Sequence, residues 1–170
     1  MDIIFDIDGT LMDIEHRRHF VEGKKKNWNK FIEHMKYDIP NKPIASILQS
    51  LCDRDARLYN NIFFFTGRNE AERWITIEHI ERCGYDHQGI ADSPKDDYER
   101  LYYKGGHYDE VLFMRADNDN RPDVEVKSEM LDKLIEQGHN PVLVFDDRQS
   151  VVDMWRARGL LCCQVADGDF

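Results

Sequence analysis

Short apolar runs alternate with amphipathic helical patterns along most of this chain. Five runs have the length of buried strands, and four longer stretches have helical spacing. The strand candidates are residues 2–7, 61–65, 110–114, 141–145 and 162–165, and the helix candidates are residues 43–52, 70–83, 124–137 and 149–158. This alternation predicts an α/β, Rossmann-like fold with a five-stranded parallel sheet sandwiched by helices. Because crossovers between parallel strands are right-handed, the carboxyl ends of all strands are expected at one edge.

The length of 170 residues suits one domain with a full hydrophobic core. We expect that core in residues 1–14 and 41–170, with a small helical insertion at about 15–40, directly after strand 1. The insertion interleaves cations such as Arg17 and Lys24 with aromatic residues such as Trp28. It fits either a lid over the carboxyl edge or a solvated helical face with a few core aromatics. Residues 85–106 are polar and are expected to form a surface connection.

The overall charge, the apolar runs and the cysteine spacing argue against a long nucleic-acid surface, a membrane span and a zinc site. A formal net charge of −10 argues against a large basic surface for a long nucleic acid, but it permits binding of one phosphorylated end. The sequence has no apolar run long enough for a membrane span and its start does not resemble a signal peptide, so we expect a cytoplasmic protein. The cysteines lack zinc spacing and are expected to be buried thiols of a reducing compartment; they are Cys52, Cys83, Cys162 and Cys163.

The end of strand 1 carries two carboxylates, Asp6 and Asp8, just before Gly9. Open α/β sheets bind their ligands at the carboxyl ends of strands. An aspartate can attack a phosphate if a divalent metal offsets the negative charge on both partners. The ordinary alternative is a strand that ends in an Asp-Gly turn.

Later strand ends carry further groups that suit phosphate chemistry. Thr66, Gly67 and Arg68 offer a hydroxyl and backbone N–H groups to phosphoryl oxygens. Lys127, at the start of a helix, is a candidate for neutralising charge. Asp146 and Asp147 follow the next strand and are oxygen ligands of the kind that magnesium prefers. Each has an ordinary explanation as a turn, a solvated lysine or a helix cap, but together they indicate one site.

These residues match, in order, the four motifs of the haloacid dehalogenase-like (HAD) phosphatases. The first motif is Asp6-Ile-Asp8-Gly-Thr10, and the others are Thr66-Gly-Arg68, Lys127 and Asp146-Asp147. Within that superfamily, the segments around Met114-Arg115, Asn120-Arg121-Pro-Asp123 and Phe145-Asp-Asp-Arg148, and the closing residues to Phe170, resemble the 3′-phosphatase half of bacteriophage polynucleotide kinase/phosphatase.

The resemblance implies catalytic roles. Asp6 is expected to be the nucleophile. Asp8 is expected to protonate the leaving alkoxide and then to activate water. Thr66 and Lys127 are expected to hold the phosphoryl group.

It also implies a cofactor and substrate contacts. Mg²⁺ is expected at the carboxylates of Asp6 and Asp146, at the Asp8 backbone carbonyl, and at waters held by Asp147. The residues expected to bind substrate are Thr10, Gly67, Arg68, Arg115, Arg121 and Arg148.

The leading prediction is a Mg²⁺-dependent phosphatase that forms a phosphoaspartate and removes 3′-phosphate from DNA or RNA ends or from nucleoside 3′-phosphates. The alternatives are a nucleotide 5′-phosphatase acting on mononucleotides, which the acidic charge favours, and a non-catalytic module that binds phosphorylated ends. The sequence contains no G-x-x-x-x-G-K-[ST] motif, so kinase activity is not expected. No obligate protein partner is predicted.

Overall fold

The strand that carries Asp6 lies at the centre of the sheet. The computed structural model describes residues 1–52, 61–85 and 108–167. In chain order these residues form β1 (Asp2–Asp6), β2 (Met12–Asp13), α1 (Glu15–Arg18), α2 (Trp28–Glu33), a 3₁₀ turn (Met35–Tyr37), β3 (Ile39–Pro40), α3 (Lys42–Leu51), β4 (Asn61–Asn69), a second 3₁₀ turn (Glu70–Glu72), α4 (Arg73–Arg82), β5 (Leu112–Arg115), α5 (Asp123–Glu136), β6 (Pro141–Asp146), α6 (Gln149–Ala157) and β7 (Leu161–Gln164).

The main sheet has the order β5-β4-β1-β6-β7, and every pairing in it is parallel. Asp6 pairs with Phe65 of β4, and Phe5 pairs with Phe145 of β6, so three strands end at the same level. This arrangement confirms the predicted α/β fold class. Both faces of β1 are buried, which is why its sequence is a continuous apolar run rather than an alternating one.

The core has two parts, one on each face of the sheet. Phe5 and Phe64 belong to the first part, with residues of the insertion, α3 and α4. Ile4 and Phe65 belong to the second, with α5 and α6. Successive strand residues point to opposite faces, which explains this division. The described residues contain no helix that is both long and apolar enough to span a membrane.

Two sequence predictions need correction at the level of elements. β4 continues to Asn69 instead of ending at Phe65, and its pairing with β5 shifts register between Thr66 and Asn69. The predicted helix over residues 70–83 begins with a 3₁₀ turn, a common form of a helix's first turn. The predicted surface connection lies almost wholly outside the described residues, as do the last three residues of the chain.

The cysteine prediction was right for two thiols and wrong for the other two. Cys83 and Cys162 are buried in the two parts of the core. Cys52 is half-buried at the end of α3, and Cys163 is exposed. Cys162 and Cys163 differ because neighbouring residues of β7 point to opposite sides of the strand.

The insertion segment, residues 15–40, starts and ends beside the main sheet. β2 and β3 pair antiparallel across its base, through Met12 with Pro40 and Asp13 with Ile39. Between them lie α1, α2 and the first 3₁₀ turn, so the expected short helices are present. Phe31 and Met35 are buried, whereas residues 22–30 are all exposed. The segment therefore has a core-facing side and a solvated side.

Candidate active site

A buried lysine joins the ends of two neighbouring strands. Lys127 Nζ, from the first turns of α5, lies 2.6 Å from Asp6 Oδ1 and 2.9 Å from Asp146 Oδ2. Lys127 and Asp146 are each 1% exposed, and Asp6 is 4% exposed. A buried lysine needs carboxylate partners to remain charged. The parallel register of β1 and β6 supplies both carboxylates at the same edge.

Three carboxylates converge at this edge as a possible metal site. One carboxylate oxygen from each of Asp6, Asp146 and Asp147 lies within 4.8 Å of the others. Gly9 permits this approach: it has a φ of +86°, and a Cβ at that position would overlap the Asp147 carboxylate. Hard oxygen donors packed so closely suit a divalent cation such as Mg²⁺.

The pKa values of two of these carboxylates, Asp6 and Asp147, are raised by burial. Burial, together with repulsion from Asp146, raises the pKa of Asp147 to about 6. Burial also raises the pKa of Asp6 well above its usual value, although Lys127 opposes the shift. Burial lowers the pKa of Lys127, but Asp146 and Asp6 outweigh it and the net shift is upward. Lys127 supplies one positive charge beside three carboxylates, and a divalent cation bound there would stabilise their ionised forms.

Asp146 is oriented by more than the lysine. The indole Nε1 of Trp155 on α6 donates to Asp146 Oδ2 at 3.1 Å, and the Arg148 backbone N–H donates to its Oδ1 at 3.1 Å. Trp155 is fully buried, so its N–H requires such a partner. Sequence reasoning gave no signal for this contact of Trp155 with Asp146.

Two arginines hold Asp8. Arg17 Nη2 donates to Asp8 Oδ1 at 2.7 Å, and Arg68 Nε donates to the same oxygen at 3.0 Å. Burial raises the pKa of Asp8, but the guanidinium groups of Arg68 and Arg17 outweigh it and keep the pKa well below its usual value. The expected acid/base residue is therefore an ionised carboxylate in this arrangement.

Asp38 completes this cluster from the end of the insertion segment. Its carboxylate accepts from Arg17 Nε at 2.7 Å and from Arg68 Nη2 at 3.2 Å, and it is fully buried. Sequence reasoning missed Asp38, and it placed Arg17 among solvated or substrate-facing cations. Arg17 is instead 0% exposed and bound to two aspartates.

Arg68 is also held by α4. Its Nη1 lies 3.2 Å from Thr76 Oγ1 and 3.1 Å from His79 Nδ1, both buried. Because the guanidinium donates, His79 Nδ1 must accept, and the ring is neutral with its proton on Nε2. All these partners are protein groups, and a substrate contact of Arg68 stays a prediction.

The second motif lies against the start of α5. Thr66 is buried, and its Oγ1 accepts the Arg68 backbone N–H at 3.3 Å. A Cβ at Gly67 would overlap the Asp123 carboxylate, so glycine permits close packing there. Arg115 Nη2 reaches Asp123 at 3.2 Å, and its Nε donates to the Gly67 carbonyl at 2.9 Å.

Asp123 lies within ion-pair distance of three cationic side chains of the predicted site. Its carboxylate lies 3.2 Å from Arg115, 3.6 Å from Arg148 and 3.7 Å from Lys127. The spacing of Asp123 and Lys127 on one helix face was a signal in the sequence for part of this contact. The structure thus brings Arg115 and Arg148 beside the lysine.

Two other predicted substrate residues, Arg121 and Thr10, differ in their exposure to solvent. Arg121 is exposed, and its guanidinium pairs with Asp119 at 2.6 Å and with Glu129 at 2.8 Å. Thr10 is fully buried, and its hydroxyl has no hydrogen-bond partner among the described residues. Their substrate roles remain predictions.

Comparison with known families gives a match over the whole chain. Residues 1–170 match the family described as the polynucleotide kinase PNKP phosphatase domain.

Two solved structures of an RNA repair assembly are similar to the chain. One, titled as the structure of the Pnkp1/Rnl/Hen1 RNA repair complex, has 26% sequence identity and a TM-score of 0.68; 99% of this chain and 43% of that chain are covered. The other, of the Pnkp1/Rnl/Hen1 complex, has 28% identity and a TM-score of 0.65, with coverage of 99% and 47%. The chain therefore spans less than half the length of either match.

A third structure shows a similar fold at lower identity. It is the class C acid phosphatase from Bacillus anthracis with tungstate bound, with 16% identity and a TM-score of 0.50. The match covers 86% of this chain and 51% of that one.

Proposed function

The chain belongs to the polynucleotide kinase PNKP phosphatase domain family, and we propose that it removes 3′-phosphate from DNA or RNA ends or from nucleoside 3′-phosphates. As a phosphatase domain of the HAD superfamily it is a phosphoric monoester hydrolase. The proposal adds Mg²⁺ dependence, a phosphoaspartate on Asp6, and the 3′ position of the substrate phosphate.

The observation that carries the mechanism is the contact of Lys127 with both Asp6 and Asp146, at 2.6 and 2.9 Å. A nucleophilic carboxylate must approach a negatively charged phosphate, so positive charge is needed between them. Lys127 supplies part of it. Mg²⁺ held by Asp6, Asp146 and Asp147 would supply the rest, polarising a phosphoryl oxygen and lowering the repulsion.

In the first step, a carboxylate oxygen of Asp6 forms a bond to phosphorus as the bond from phosphorus to the ester oxygen breaks. Lys127 and the Thr66 hydroxyl hold the phosphoryl oxygens. The leaving alkoxide takes a proton from Asp8. Because Arg17 and Arg68 favour the ionised form of Asp8, the carboxylate has to take up a proton before this step.

In the second step, the ionised Asp8 removes a proton from water, and the water oxygen attacks phosphorus. The bond between phosphorus and Asp6 breaks, inorganic phosphate leaves, and Asp6 is restored. The two arginines keep Asp8 in place and suit this base role, since they stabilise the carboxylate that is present when the step begins.

Replacing the nucleophile tests the mechanism. We expect Asp6→Asn to lower turnover of a 3′-phosphorylated oligonucleotide by at least about 10³-fold, because an amide cannot form the acyl phosphate. Asp153→Asn changes an exposed aspartate on α6 and should retain wild-type turnover. Phosphate release is measured with Mg²⁺ and with EDTA. Equal turnover by Asp6→Asn and wild type would contradict the mechanism.

A substrate panel tests the position of the phosphate. Matched mono- and oligonucleotides carrying phosphate at the 3′ or 5′ end are assayed for phosphate release. We expect preference for the 3′-phosphorylated members. Rapid turnover of 5′-mononucleotides, with 3′-phosphorylated substrates left intact, would support the nucleotide 5′-phosphatase that the net charge of −10 favours.

A further inference from the structure

The lysines of the insertion segment and its flank are unlike the other lysines that the structure describes. Lys127 and Lys133, both on α5, are paired with carboxylates. The remaining lysines of the described ranges form no ion pair there; they are Lys24, Lys25, Lys26, Lys30, Lys36 and Lys42. All six are exposed. In a chain with a net charge of −10, this is a local concentration of lysines that form no ion pair with the described residues.

Exposed aromatic rings accompany these lysines. Trp28 is 49% exposed and Tyr37 is 59% exposed. Lys26 Nζ lies 5.5 Å from the centroid of the Trp28 ring, and Lys36 Nζ lies 5.1 Å from that of Tyr37. We call these residues the lysine–aromatic surface: Lys24, Lys25, Lys26, Trp28, Lys30, Lys36 and Tyr37. Surfaces that bind single-stranded nucleic acid combine such rings, on which bases stack, with cations for the phosphates.

A chain of contacts links this surface to Asp8. The ring centroids of Trp28 and Phe31 are 5.7 Å apart, edge to face. On the buried side, the guanidinium carbon of Arg17 lies 4.0 Å from the Phe31 centroid, and Arg17 donates to Asp8. Trp28 is therefore only two side chains away from the residue expected to transfer the proton.

The charge and the rings of the lysine–aromatic surface indicate what kind of partner it binds. A run of free lysines beside exposed rings suits a flexible polyanion with flat, stackable groups, which is a single strand rather than a peptide. The acidic remainder of the molecule limits the contact to a short stretch, since it would repel a long phosphate backbone.

We propose that the lysine–aromatic surface binds the nucleotides next to the phosphorylated end of a single-stranded oligonucleotide, with Trp28 stacking on a base. This inference rests on the proposed function and deepens it, because it makes oligonucleotides, rather than mononucleotides, the preferred substrates. It does not depend on the occupant of the metal site.

Binding of a short 5′-labelled oligothymidylate with a 3′-hydroxyl end tests the surface without any catalytic step. We expect Trp28→Ala to raise the Kd, measured by fluorescence anisotropy with the full chain, roughly 5- to 150-fold, the range for loss of one stacked base. Trp28→Phe keeps a ring and should retain most of the affinity. Trp74→Ala is the matched control: Trp74 is 47% exposed on α4, outside the insertion, and its loss should leave the Kd at the wild-type value.

The salt dependence of oligonucleotide binding tests the role of the lysines. Replacing Lys24, Lys25 and Lys26 together with glutamine should reduce the slope of log Kd against log salt concentration by about 2, since each phosphate contact on a single strand contributes about 0.7. Displacement of the oligothymidylate by oligoglutamate at equal charge concentration would overturn the proposal, because charge alone would then explain binding. An unchanged Kd for Trp28→Ala, with the circular dichroism of wild type, would also overturn it.

Turnover separates this inference from the proposed function. For each variant, kcat/KM is measured for a 3′-phosphorylated oligothymidylate and for thymidine 3′-monophosphate. We expect the ratio of kcat/KM for the oligonucleotide to kcat/KM for the mononucleotide to be lower in Trp28→Ala than in wild type. In Trp74→Ala we expect this ratio to be unchanged. If the wild type releases no phosphate from any 3′-phosphorylated substrate while binding still depends on Trp28, the proposed function fails and the surface stands. If phosphate is released but the ratio in Trp28→Ala is the same as in wild type, the surface proposal fails.

Discussion

At the scale of single residues, Lys127 has two tasks that separate experimentally. Its ammonium offsets the charge of Asp6 and Asp146 in the folded protein, and in the proposed reaction it holds the phosphoryl group. The first task concerns stability and the second concerns rate. The stability role follows from burial, because a charged lysine that is only 1% exposed needs its carboxylate partners.

We expect Lys127→Gln to lower the free energy of unfolding by about 3–5 kcal/mol in EDTA, because it leaves two buried carboxylates without their cation. Mg²⁺ should recover part of that loss, and kcat should remain at least about 10²-fold below wild type. Urea unfolding with and without Mg²⁺, together with phosphate release, measures these effects.

Lys133→Gln is the control for that substitution. Lys133 pairs with Glu129 on the surface of the same helix, at 2.8 Å, and its loss should cost no more than about 0.5 kcal/mol. Wild-type stability of Lys127→Gln in EDTA would show that the buried carboxylates do not need the lysine.

At the scale of elements, α4 and the insertion segment support Arg68 from two sides. α4 presents Thr76 and His79, and the insertion contributes Asp38. Burial and the nearby Arg68 lower the pKa of His79 from its usual 6.5 to about 3. The ring is therefore neutral in the folded protein at a pH where it is protonated in the unfolded chain.

This depressed pKa predicts a pH dependence of stability. The folded state binds fewer protons than the unfolded state between about pH 6.5 and 3, so stability is full above that window and falls as the pH decreases through it. His79 alone should contribute a loss of about 1.4 kcal/mol per pH unit across most of the window.

We expect His79→Gln to reduce that slope, because the amide oxygen can accept from Arg68 without titrating. The measurement is the free energy of unfolding at several pH values from 7 to 4, with the difference between variant and wild type isolating His79 from the carboxylates that also titrate. Parallel curves for the two proteins would contradict the assignment of a neutral, buried ring.

At the scale of the whole molecule, the sheet separates the core into two parts, and each part contains one buried thiol. Cys83 lies in the core on one face of the sheet and Cys162 in the core on the other. Burial raises the pKa of Cys83 to about 11 and that of Cys162 to about 12. Both are thiols, not thiolates, at neutral pH, and neither is accessible to a reagent.

We expect a thiol reagent such as Ellman's reagent to modify Cys163 rapidly at pH 8, and Cys83 and Cys162 only as fast as the protein unfolds. Cys163→Ser should remove the fastest phase. Rapid modification of more than two thiols in native protein would show that one face of the core is open, since only Cys163 is exposed and Cys52 half-buried.

The fold class and the residues expected at the site were readable from the sequence alone. Apolar periodicity is a local property of the chain, so it predicted all five strands of the sheet and four helices. The parallel topology then required their carboxyl ends to meet, which is why Asp6, Lys127, Asp146 and Asp147 were candidates for one site before any contact was known.

The pairing of the buried charges became visible only in the folded structure. Arg17 and Asp38 are ordinary polar residues of a short insertion in the sequence, yet both are fully buried and bind Asp8 and Arg68 as one cluster. Arg68 lies 60 residues from Asp8 along the chain. Periodicity carries no information at such separations, because the pairing depends on how the insertion folds back onto the sheet edge. The same folding leaves Trp28 and its lysines facing solvent, a distinction from Arg17 that the sequence alone did not make.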